Sequence, residues 1–193
     1  MVESIRVAEP ADAEEIAAIY APIVETSHVS FEIDPPSTGE IEDRIAETLA
    51  EYPWLVSEYN GGVAGYAYAG PRHHRQAYQW AVDVSVYVAP DYQRTGVAQS
   101  LYESLFEILR AQGHYSAYAI IALPNPKSVE FHESLGFERV GLYEKAGYKA
   151  GDWHDVGHWE FPLAEPEDRP APPTPFAELR DSPILSEILH PRR

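Results

Sequence analysis

Two neighbouring stretches of the chain carry residue types suited to holding a charged ligand. The first runs from Asp83 to Val88 and combines one acidic side chain with valine and tyrosine. The second, Gln93-Arg-Thr-Gly-Val-Ala98, contains Gly96, which lets the backbone turn and approach a ligand closely. A turn that opens a helix presents free backbone N–H groups, and these bind anions such as phosphate. The pattern predicts a turn that grips a phosphorylated cofactor, although by itself so short a motif is more typical of an ordinary strand-to-helix turn.

A strand and a helix must position this turn. Residues from Ala77 to Val88, which follow a basic loop at residues 72–75, are rich in Val and Tyr and predict a buried strand. Pro90 ends the strand because proline cannot donate to the ladder. Beyond the turn, apolar residues recur at helical spacing and predict a long amphipathic helix ending near Gly113; they are Leu101, Leu105, Ile108 and Leu109.

The remaining chain predicts helices and strands without an internal repeat. A short strand at Ile5–Val7 precedes a helix that begins at Pro10, and a polar loop at residues 27–37 leads to a second helix. Asn60-Gly-Gly62 predicts a hairpin turn between two strands. The later elements are a strand over Ala117–Leu123, a helix from Asn125 to Gly136, and strands over Val140–Tyr148 and Trp153–Leu163.

The composition changes at Ala164. The segment that follows is rich in proline and predicts a stiff, solvated linker, so we expect a domain over residues 1–163 and a linker with a short apolar tail over residues 164–193. The tail covers an apolar patch on this chain or on a partner, or else it is a frayed terminus. Its large apolar residues are Phe176, Leu179, Ile184, Leu185, Ile188 and Leu189.

The net charge bears on the class of partner. Asp and Glu total 31 against 14 for Lys and Arg, a formal net charge of -17, and such a surface repels nucleic-acid phosphates and anionic lipid. We therefore expect neither nucleic acid nor a membrane as a partner. An excess of surface acid with scarce lysine is what we expect of a protein that works in concentrated salt, where self-repulsion is screened.

The cysteine count and the N-terminal sequence limit the chemistry and the compartment. The chain contains no cysteine, which excludes disulfides, thiolate metal ligands and a cysteine nucleophile. No apolar run is long enough to span a bilayer and the polar N-terminus does not resemble a signal peptide, so we expect a cytoplasmic protein. His154 and His158 have a spacing found among metal ligands, but no third ligand accompanies them and we expect no metal.

Further motifs give the phosphate-binding turn a specific context. Asn125-Pro-Lys-Ser128 and His132-Glu-Ser-Leu-Gly-Phe137 follow it along the chain, and with the turn they resemble the GNAT superfamily of N-acetyltransferases. Other segments resemble the phosphinothricin acetyltransferase branch of that superfamily: Val29–Glu32, Pro53–Val56, Gly65–Ala69, Ala77–Trp80 and Gly147–Gly157. The resemblance runs in unbroken order over about residues 4–163.

The resemblance implies a fold, a reaction and an assembly. The fold is the α/β acyl-CoA N-acyltransferase (GNAT) fold, a twisted, mixed, mostly antiparallel sheet with helices on both faces. The reaction is direct transfer of the acetyl group of acetyl-CoA to the α-amine of a small amino acid analogue, such as phosphinothricin or methionine sulfoximine, in a ternary complex. The assembly is a homodimer whose C-terminal strands help to build the pocket.

The resemblance also assigns residues by position. The backbone of Val86, Tyr87 and Val88 holds the acetyl and pantetheine end of the cofactor, and Asn125 contacts it as well. The pyrophosphate of the cofactor is bound by the backbone amides of Arg94, Thr95, Gly96, Val97, Ala98 and Gln99. The residues that face the amino acid are Phe31, Arg75, Tyr78 and Asp83.

These residue types suit acetyl transfer. An ammonium must lose a proton before it attacks a thioester, so Asp83 is a candidate general base, directly or through water. An N–H group around Val86–Val88 can stabilise the thioester oxygen, and Arg75 can pair with the substrate carboxylate or its phosphorus-type anion. His132 is a candidate acid for the leaving thiolate, or else a capping or packing histidine.

Position 83 departs from the family pattern, which has glutamate in the sequence W-T-V-E-S. Aspartate is one methylene shorter, about 1.5 Å, which favours proton transfer through water and bears on substrate identity more than on reaction class. Two alternatives stay open: an acetyltransferase for another amine, such as a polyamine, an antibiotic or a protein N-terminus, and a non-catalytic acyl-CoA-binding sensor.

Overall fold

One sheet of seven strands forms the centre of the molecule. The computed structural model describes residues 4–189; residues 1–3 and 190–193, at the outer ends of the two expected ranges, lie outside the described residues. The strands follow the order β1-β2-β3-β4-β5-β7-β6, and all neighbours are antiparallel except β4 and β5. Their bounds are β1 (Ser4–Val7), β2 (Trp54–Tyr59), β3 (Gly62–Pro71), β4 (Ala81–Val88), β5 (Ser116–Leu123), β6 (Glu138–Lys149) and β7 (Asp152–Pro162).

Helices cover both faces of this sheet, which confirms the predicted fold class. Because side chains alternate along a strand, the two faces of β3 and β4 carry different residues. On one face the Tyr87 ring lies 5.1 Å from the ring of Tyr20 in α1, and on the other Gly65 lies against Val97 of α3. The helices are α1 (Ala13–Thr26), α2 (Thr38–Glu51), α3 (Val97–Gln112), α4 (Pro126–Ser134), α5 (Phe176–Leu179) and α6 (Pro183–Leu189).

The parallel pair divides the sheet into two halves that separate. β4 and β5 pair only where Ala81–Asp83 meets Ser116–Tyr118, although β4 continues to Val88 and β5 to Leu123. Beyond Asp83, β4 stays paired with β3 and β5 stays paired with β7. A gap therefore opens between the two strands, and it begins beside Asp83.

The strand predicted from Ala77 to Val88 is wrong at its start, because β4 begins at Ala81. Residues Gln76–Tyr78 form a 3-10 turn instead, in which the Tyr78 N–H donates to Arg75 O at 3.0 Å. The aromatic side chains at this point favour a strand, yet Trp80 donates its indole N–H to Ala171 O at 2.8 Å. Local turn bonds and this contact with the C-terminal segment outweigh the strand propensity.

The C-terminal tail covers an apolar patch on its own chain. Phe176 is fully buried and Leu185 is nearly so, and both belong to the main hydrophobic core. α5 packs against α2 and α6 packs against α3. The Thr174 N–H donates to Gln112 O at 2.8 Å, and the Gln112 side-chain amide donates back to Thr174 O at 2.8 Å. Residues 176–189 are thus an integral part of the packed structure rather than a frayed terminus.

Candidate active site

The gap between β4 and β5 contains a cavity of about 70 Å³. Its walls come from both strands, from α4 and from the loop at residues 27–37, which is irregular as predicted. The cavity brings together residues that are distant in sequence: Val29, Ser85, Val86, Tyr87, Asn125 and His132. Three predicted cofactor residues and the predicted acid therefore meet at one place.

The backbone of β4 presents hydrogen-bonding groups to this gap. The Ala89 N–H donates to Ala64 O at 2.9 Å, and hydrogen-bonded pairs alternate along an antiparallel ladder. The ladder bonds to β3 therefore fall on Ser85 and Tyr87, while the backbone groups of Val86 and Val88 point toward the gap. Tyr87 also lines the cavity, although its backbone is engaged with β3.

The predicted phosphate-binding turn lies at the N-terminus of α3. Gly96 has a φ of 93°, in the left-handed region, and the Ser100 N–H is the first to close a helical bond, to Gly96 O at 3.0 Å. Among the described residues, the N–H groups of Val97, Ala98 and Gln99 have no backbone acceptor. A Cβ at Gly96 would meet nothing within 4 Å, so the space before the turn is open.

A second glycine sets how closely this turn approaches the sheet. A Cβ at Gly65 of β3 would lie 2.8 Å from Tyr87 O and 3.0 Å from Val97 Cγ1. Only glycine allows the first residue of α3 to pack this tightly on the strand. Gly65 therefore places the free N–H groups of the turn beside the end of β4.

Asp83 stands where the gap opens, and its carboxyl is poised to titrate. Burial raises the pKa of Asp83 to about 6, although Arg72 counteracts the rise through its charge and through a hydrogen bond. Arg72 Nη1 donates to Asp83 Oδ1 at 3.0 Å. Above about pH 6 the carboxylate form prevails, which is the form that a general base needs.

Arg72 is a member of this cluster that the sequence did not single out. Its Nη2 donates to His158 Nδ1 at 3.2 Å, and its Cζ lies 4.6 Å from the centre of the Tyr118 ring. Burial, with the nearby charge of Arg72, lowers the pKa of His158, so the imidazole is neutral and accepts from Arg72. The sequence shows that the loop at residues 72–75 is basic, but it does not single out Arg72. The register of β3, β4, β5 and β7 places Arg72 next to Asp83.

His132 lies at the α4 side of the cavity in a fixed tautomer. It is 5% exposed, and its Nδ1 donates to Ser128 O at 2.7 Å, so its Nε2 accepts from the Tyr102 hydroxyl at 3.1 Å. Burial lowers the pKa of His132 more strongly than the bond to Ser128 raises it. The imidazole is therefore neutral. The proton of this hydrogen bond belongs to the Tyr102 hydroxyl. Tyr102 also lines the cavity and was not identified from the sequence.

The predicted acceptor residues fall into two groups. Phe31 lies on the loop at residues 27–37 and packs on Gly147 so tightly that a Cβ there would lie 2.1 Å from the ring. Lys149 fixes the same loop by donating from Nζ to Ser30 O at 2.8 Å. Arg75 and Tyr78, by contrast, lie exposed at the 3-10 turn that precedes β4.

A larger cavity, about 110 Å³, lies between α1, α2 and the strands β2 and β3. Its charged lining residue, Arg44, is held by Glu32 at 2.8 Å, and the other walls are mostly aromatic. Neither Asp83 nor His132 borders it. The smaller cavity is the one lined by His132 and three predicted cofactor residues, and the gap that contains it begins beside Asp83.

The histidine pair with metal-like spacing has other partners. His154 stacks on His28 with ring centres 4.2 Å apart, while His158 contacts Arg72. Over residues 4–189 no three His, Asp or Glu side chains gather as a metal site would require. In the same range no helix is both long and apolar enough to cross a membrane.

Comparison with known proteins identifies the class. A family model described as an acetyltransferase (GNAT) domain matches residues 5–158, and the chain therefore belongs to the GNAT acetyltransferase family. A phosphinothricin N-acetyltransferase of Streptomyces viridochromogenes is 44% identical over 171 residues, 89% of this chain and 91% of the relative. An L-methionine sulfoximine/L-methionine sulfone acetyltransferase of Salmonella typhimurium is 32% identical over 84% of this chain and 95% of the relative.

A solved structure extends this likeness to three dimensions. The GNAT superfamily phosphinothricin acetyltransferase of Sinorhizobium meliloti, in complex with acetyl-CoA, superposes with a TM-score of 0.83 at 32% identity. The match covers 91% of this chain and 99% of that chain. Fold and family thus agree with the resemblance read from the motifs.

Proposed function

We propose that this protein is an N-acetyltransferase (EC 2.3.1 class) that transfers the acetyl group of acetyl-CoA to the amine of a small amino acid analogue of the phosphinothricin or methionine sulfoximine type. The observation that carries the proposal is the gap between β4 and β5, which begins beside Asp83 and contains a cavity lined by Val86, Asn125 and His132. The relatives named for these two substrates and the acetyl-CoA complex of a similar structure support it.

The cofactor end of the proposal rests on backbone groups. The N–H groups of Val86 and Val88 that point into the gap suit the acetyl carbonyl and the pantetheine amides, and Tyr87 lines the cavity between them. The pyrophosphate is held by the turn amides of Arg94, Thr95, Gly96, Val97, Ala98 and Gln99. Asn125, which lines the same cavity and caps α4, contacts the cofactor next to the gap.

The acceptor end places the reacting amine at Asp83. The carboxylate takes a proton from the ammonium, directly or through water, and the freed amine attacks the thioester carbonyl carbon. The C–S bond then breaks and the CoA thiolate leaves, with no acyl-enzyme formed. Phe31, Arg75 and Tyr78 surround the acceptor in this proposal.

The thiolate end involves His132 together with Tyr102. Nε2 of the neutral His132 accepts a hydrogen bond from the Tyr102 hydroxyl and carries no proton, so it cannot act as a donor in this state. A hydroxyl can rotate, and we propose that Tyr102 turns its O–H toward the leaving sulfur while His132 positions it. In this proposal His132 is a positioning residue for Tyr102 rather than the acid that the sequence predicted.

We also propose a homodimer built on the β6–β7 hairpin. β6 is the last strand of the sheet order, and an edge with exposed apolar side chains is typical of an interface. Ile120, which is 48% exposed, also lines the cavity, so a partner at this face would help to close the pocket. The exposed apolar residues of the hairpin are Val140, Leu142, Tyr143, Tyr148 and Trp153.

The charge supports a proposal about conditions of work. With a formal net charge of -17, self-repulsion opposes the folded state and salt screens it, so we propose a protein adapted to concentrated salt in the cytoplasm. Thermal unfolding at low and at molar NaCl tests this, because the proposal requires a higher Tm in molar salt. Full stability and activity in low-salt buffer, with no gain on adding NaCl, would contradict it.

Two alternatives are decided by a panel of acceptors. CoA release is measured with acetyl-CoA and, in turn, methionine sulfoximine, phosphinothricin, a polyamine, an aminoglycoside and a short peptide. Turnover of the first two supports the proposal, whereas turnover of another member alone supports a different acceptor. Saturable acetyl-CoA binding without any turnover supports an acyl-CoA sensor.

A further inference from the structure

Arg72 is held rigidly in the acceptor side of the site. It follows β3 directly, and its guanidinium touches three elements: Asp83 of β4, Tyr118 of β5 and His158 of β7. The side chain is 22% exposed, in contrast to the exposed Arg75. A partly buried, pre-positioned arginine loses less entropy on binding and is screened less by water than an exposed one.

The bonds of Arg72 leave part of its donor set available. A guanidinium carries five N–H donors, and those to Asp83 Oδ1 and His158 Nδ1 account for one each. Asp83 Oδ2 accepts no hydrogen bond from the residues that the structure describes. The pair therefore offers free donors and a free carboxylate oxygen side by side.

This arrangement matches the head group of an α-amino acid. In such an acceptor the ammonium and the carboxylate sit on one carbon, so two opposite charges lie next to each other. A cation and an anion 3.0 Å apart in the protein present the complementary pattern. Resting on the proposed function, we propose that Arg72 binds the α-carboxylate of the acceptor while Asp83 Oδ2 receives its ammonium.

The proposal moves the carboxylate receptor from Arg75 to Arg72. Arg75 lies exposed at the 3-10 turn, where a charged contact is worth little. Its described hydrogen bonds use the backbone, with the N–H donating to His73 Nδ1 at 3.1 Å and the carbonyl accepting from the Tyr78 N–H at 3.0 Å. Arg72 instead touches the base itself. The acceptor class that follows is an amino acid with a free α-carboxylate, rather than a polyamine, an aminoglycoside or the N-terminus of a peptide.

The test compares two acceptors on two enzymes. We measure kcat/KM for L-methionine sulfoximine and for its carboxamide, with wild type and with Arg72→Gln, at about pH 8.5 where Asp83 is ionised in both. Differences in amine basicity between the two acceptors cancel in the comparison. Wild type should prefer methionine sulfoximine over its carboxamide by roughly 10- to 100-fold in kcat/KM, the range for a hydrogen bond to a charged group. R72Q should lose that preference because its kcat/KM falls for methionine sulfoximine and not for the carboxamide.

Control variants separate this role from a general loss of structure. Arg72→Lys keeps the charge without the planar fork and should restore part of the preference. Arg180→Gln makes the same change at an exposed residue of the tail and should match wild type. The acetyl-CoA Kd of every variant should stay within about 3-fold of wild type, since none of them alters the turn before α3.

The outcomes that overturn the inference differ from those that overturn the function. If R72Q keeps the preference for the acid, or slows both acceptors equally, Arg72 does not bind the carboxylate. If Arg75→Gln removes the preference and R72Q does not, the carboxylate lies on Arg75. If wild type releases CoA with neither acceptor, the proposed function itself fails.

Discussion

Asp83 is the residue on which the proposed chemistry depends most directly. Its pKa of about 6 exceeds the ordinary value of 3.8 because burial disfavours the charged form more than Arg72 favours it. We expect the acid limb of kcat/KM to fall with a midpoint near pH 6, as Asp83 is protonated and stops acting as a base. The charged and titratable groups near it are Arg72, His158, and Tyr118 with its bonded Glu160.

The variant Asp83→Asn separates the activity of this carboxyl from its effect on stability. We expect kcat to fall by about 100- to 10,000-fold while the acetyl-CoA Kd is unchanged, because only the base is lost. An aspartate with a raised folded pKa destabilises the fold as pH rises through about 4 to 6. At about pH 8 we therefore expect the Tm of D83N to equal or exceed that of wild type by a few degrees. Unchanged turnover would remove Asp83 as the base.

The sequence could identify Asp83 but not its surroundings. A carboxylate ahead of the phosphate-binding turn is visible in the chain, and the family motifs gave it a role. Arg72 and His158 are 86 positions apart, so their contact depends on the register of strands that the sequence does not specify. The fixed tautomer of His132 likewise depends on Tyr102, which a helical pattern marks only as a core residue.

The turn before α3 combines a backbone conformation with an open space. Gly96→Val puts a branched side chain at a φ of 93° and into the open space where the proposed function puts the pyrophosphate. We expect the acetyl-CoA Kd, measured by calorimetry, to rise by at least about 10-fold because the side chain blocks approach to the free N–H groups.

Gly61→Val is the matched control for that change. Gly61 also has a positive φ, 79°, and a Cβ there would meet nothing within 4 Å, but it lies in the β2–β3 hairpin. Both variants should lose stability, whereas only G96V should lose acetyl-CoA. Equal affinities for the two would mean that this turn does not hold the pyrophosphate.

The loop at residues 27–37 depends on a single small residue of β6. Gly147→Ala introduces a Cβ that would lie 2.1 Å from the Phe31 ring, so the ring and its loop must move. We expect the KM for the amine acceptor to rise by about 10-fold with the acetyl-CoA Kd unchanged, since the proposed function puts Phe31 on the acceptor side. Gly39→Ala, where a Cβ meets nothing within 4 Å, serves as the control. A wild-type KM for G147A would place Phe31 outside the acceptor site.

Most of these elements could be predicted because their signals are local. Ser37 and Glu40 have the spacing of a capping box, a local signal for the start of α2, and the structure shows both capping bonds. The start of β4 could not be predicted, because the indole N–H of Trp80 donates to the carbonyl of Ala171, which lies in the tail 91 positions later. Local propensity predicts an element well until a distant segment offers a competing bond.

The outer face of the β6–β7 hairpin provides the prediction for the assembly. Tyr143 and Trp153 are 61% and 56% exposed, and burying large aromatic side chains drives association. Light scattering should show a dimer for wild type and a monomer for the double variant Tyr143→Arg/Trp153→Arg, with a reduced activity because the pocket opens at Ile120. Exchanging two polar residues of the acidic surface, Glu42→Arg and Glu47→Arg, should leave the dimer intact. A monomeric wild type would refute the proposed dimer.

Acetyl-CoA-dependent CoA release with methionine sulfoximine and phosphinothricin tests the central claim most directly. We predict saturable turnover of at least one of these amines, formation of the N-acetyl product by mass spectrometry, and loss of that turnover in D83N with acetyl-CoA binding preserved. Acetyl-CoA that fails to bind saturably, or turnover that survives in D83N at the wild-type rate, would contradict the claim that the gap beside Asp83 is an acetyl-transfer site.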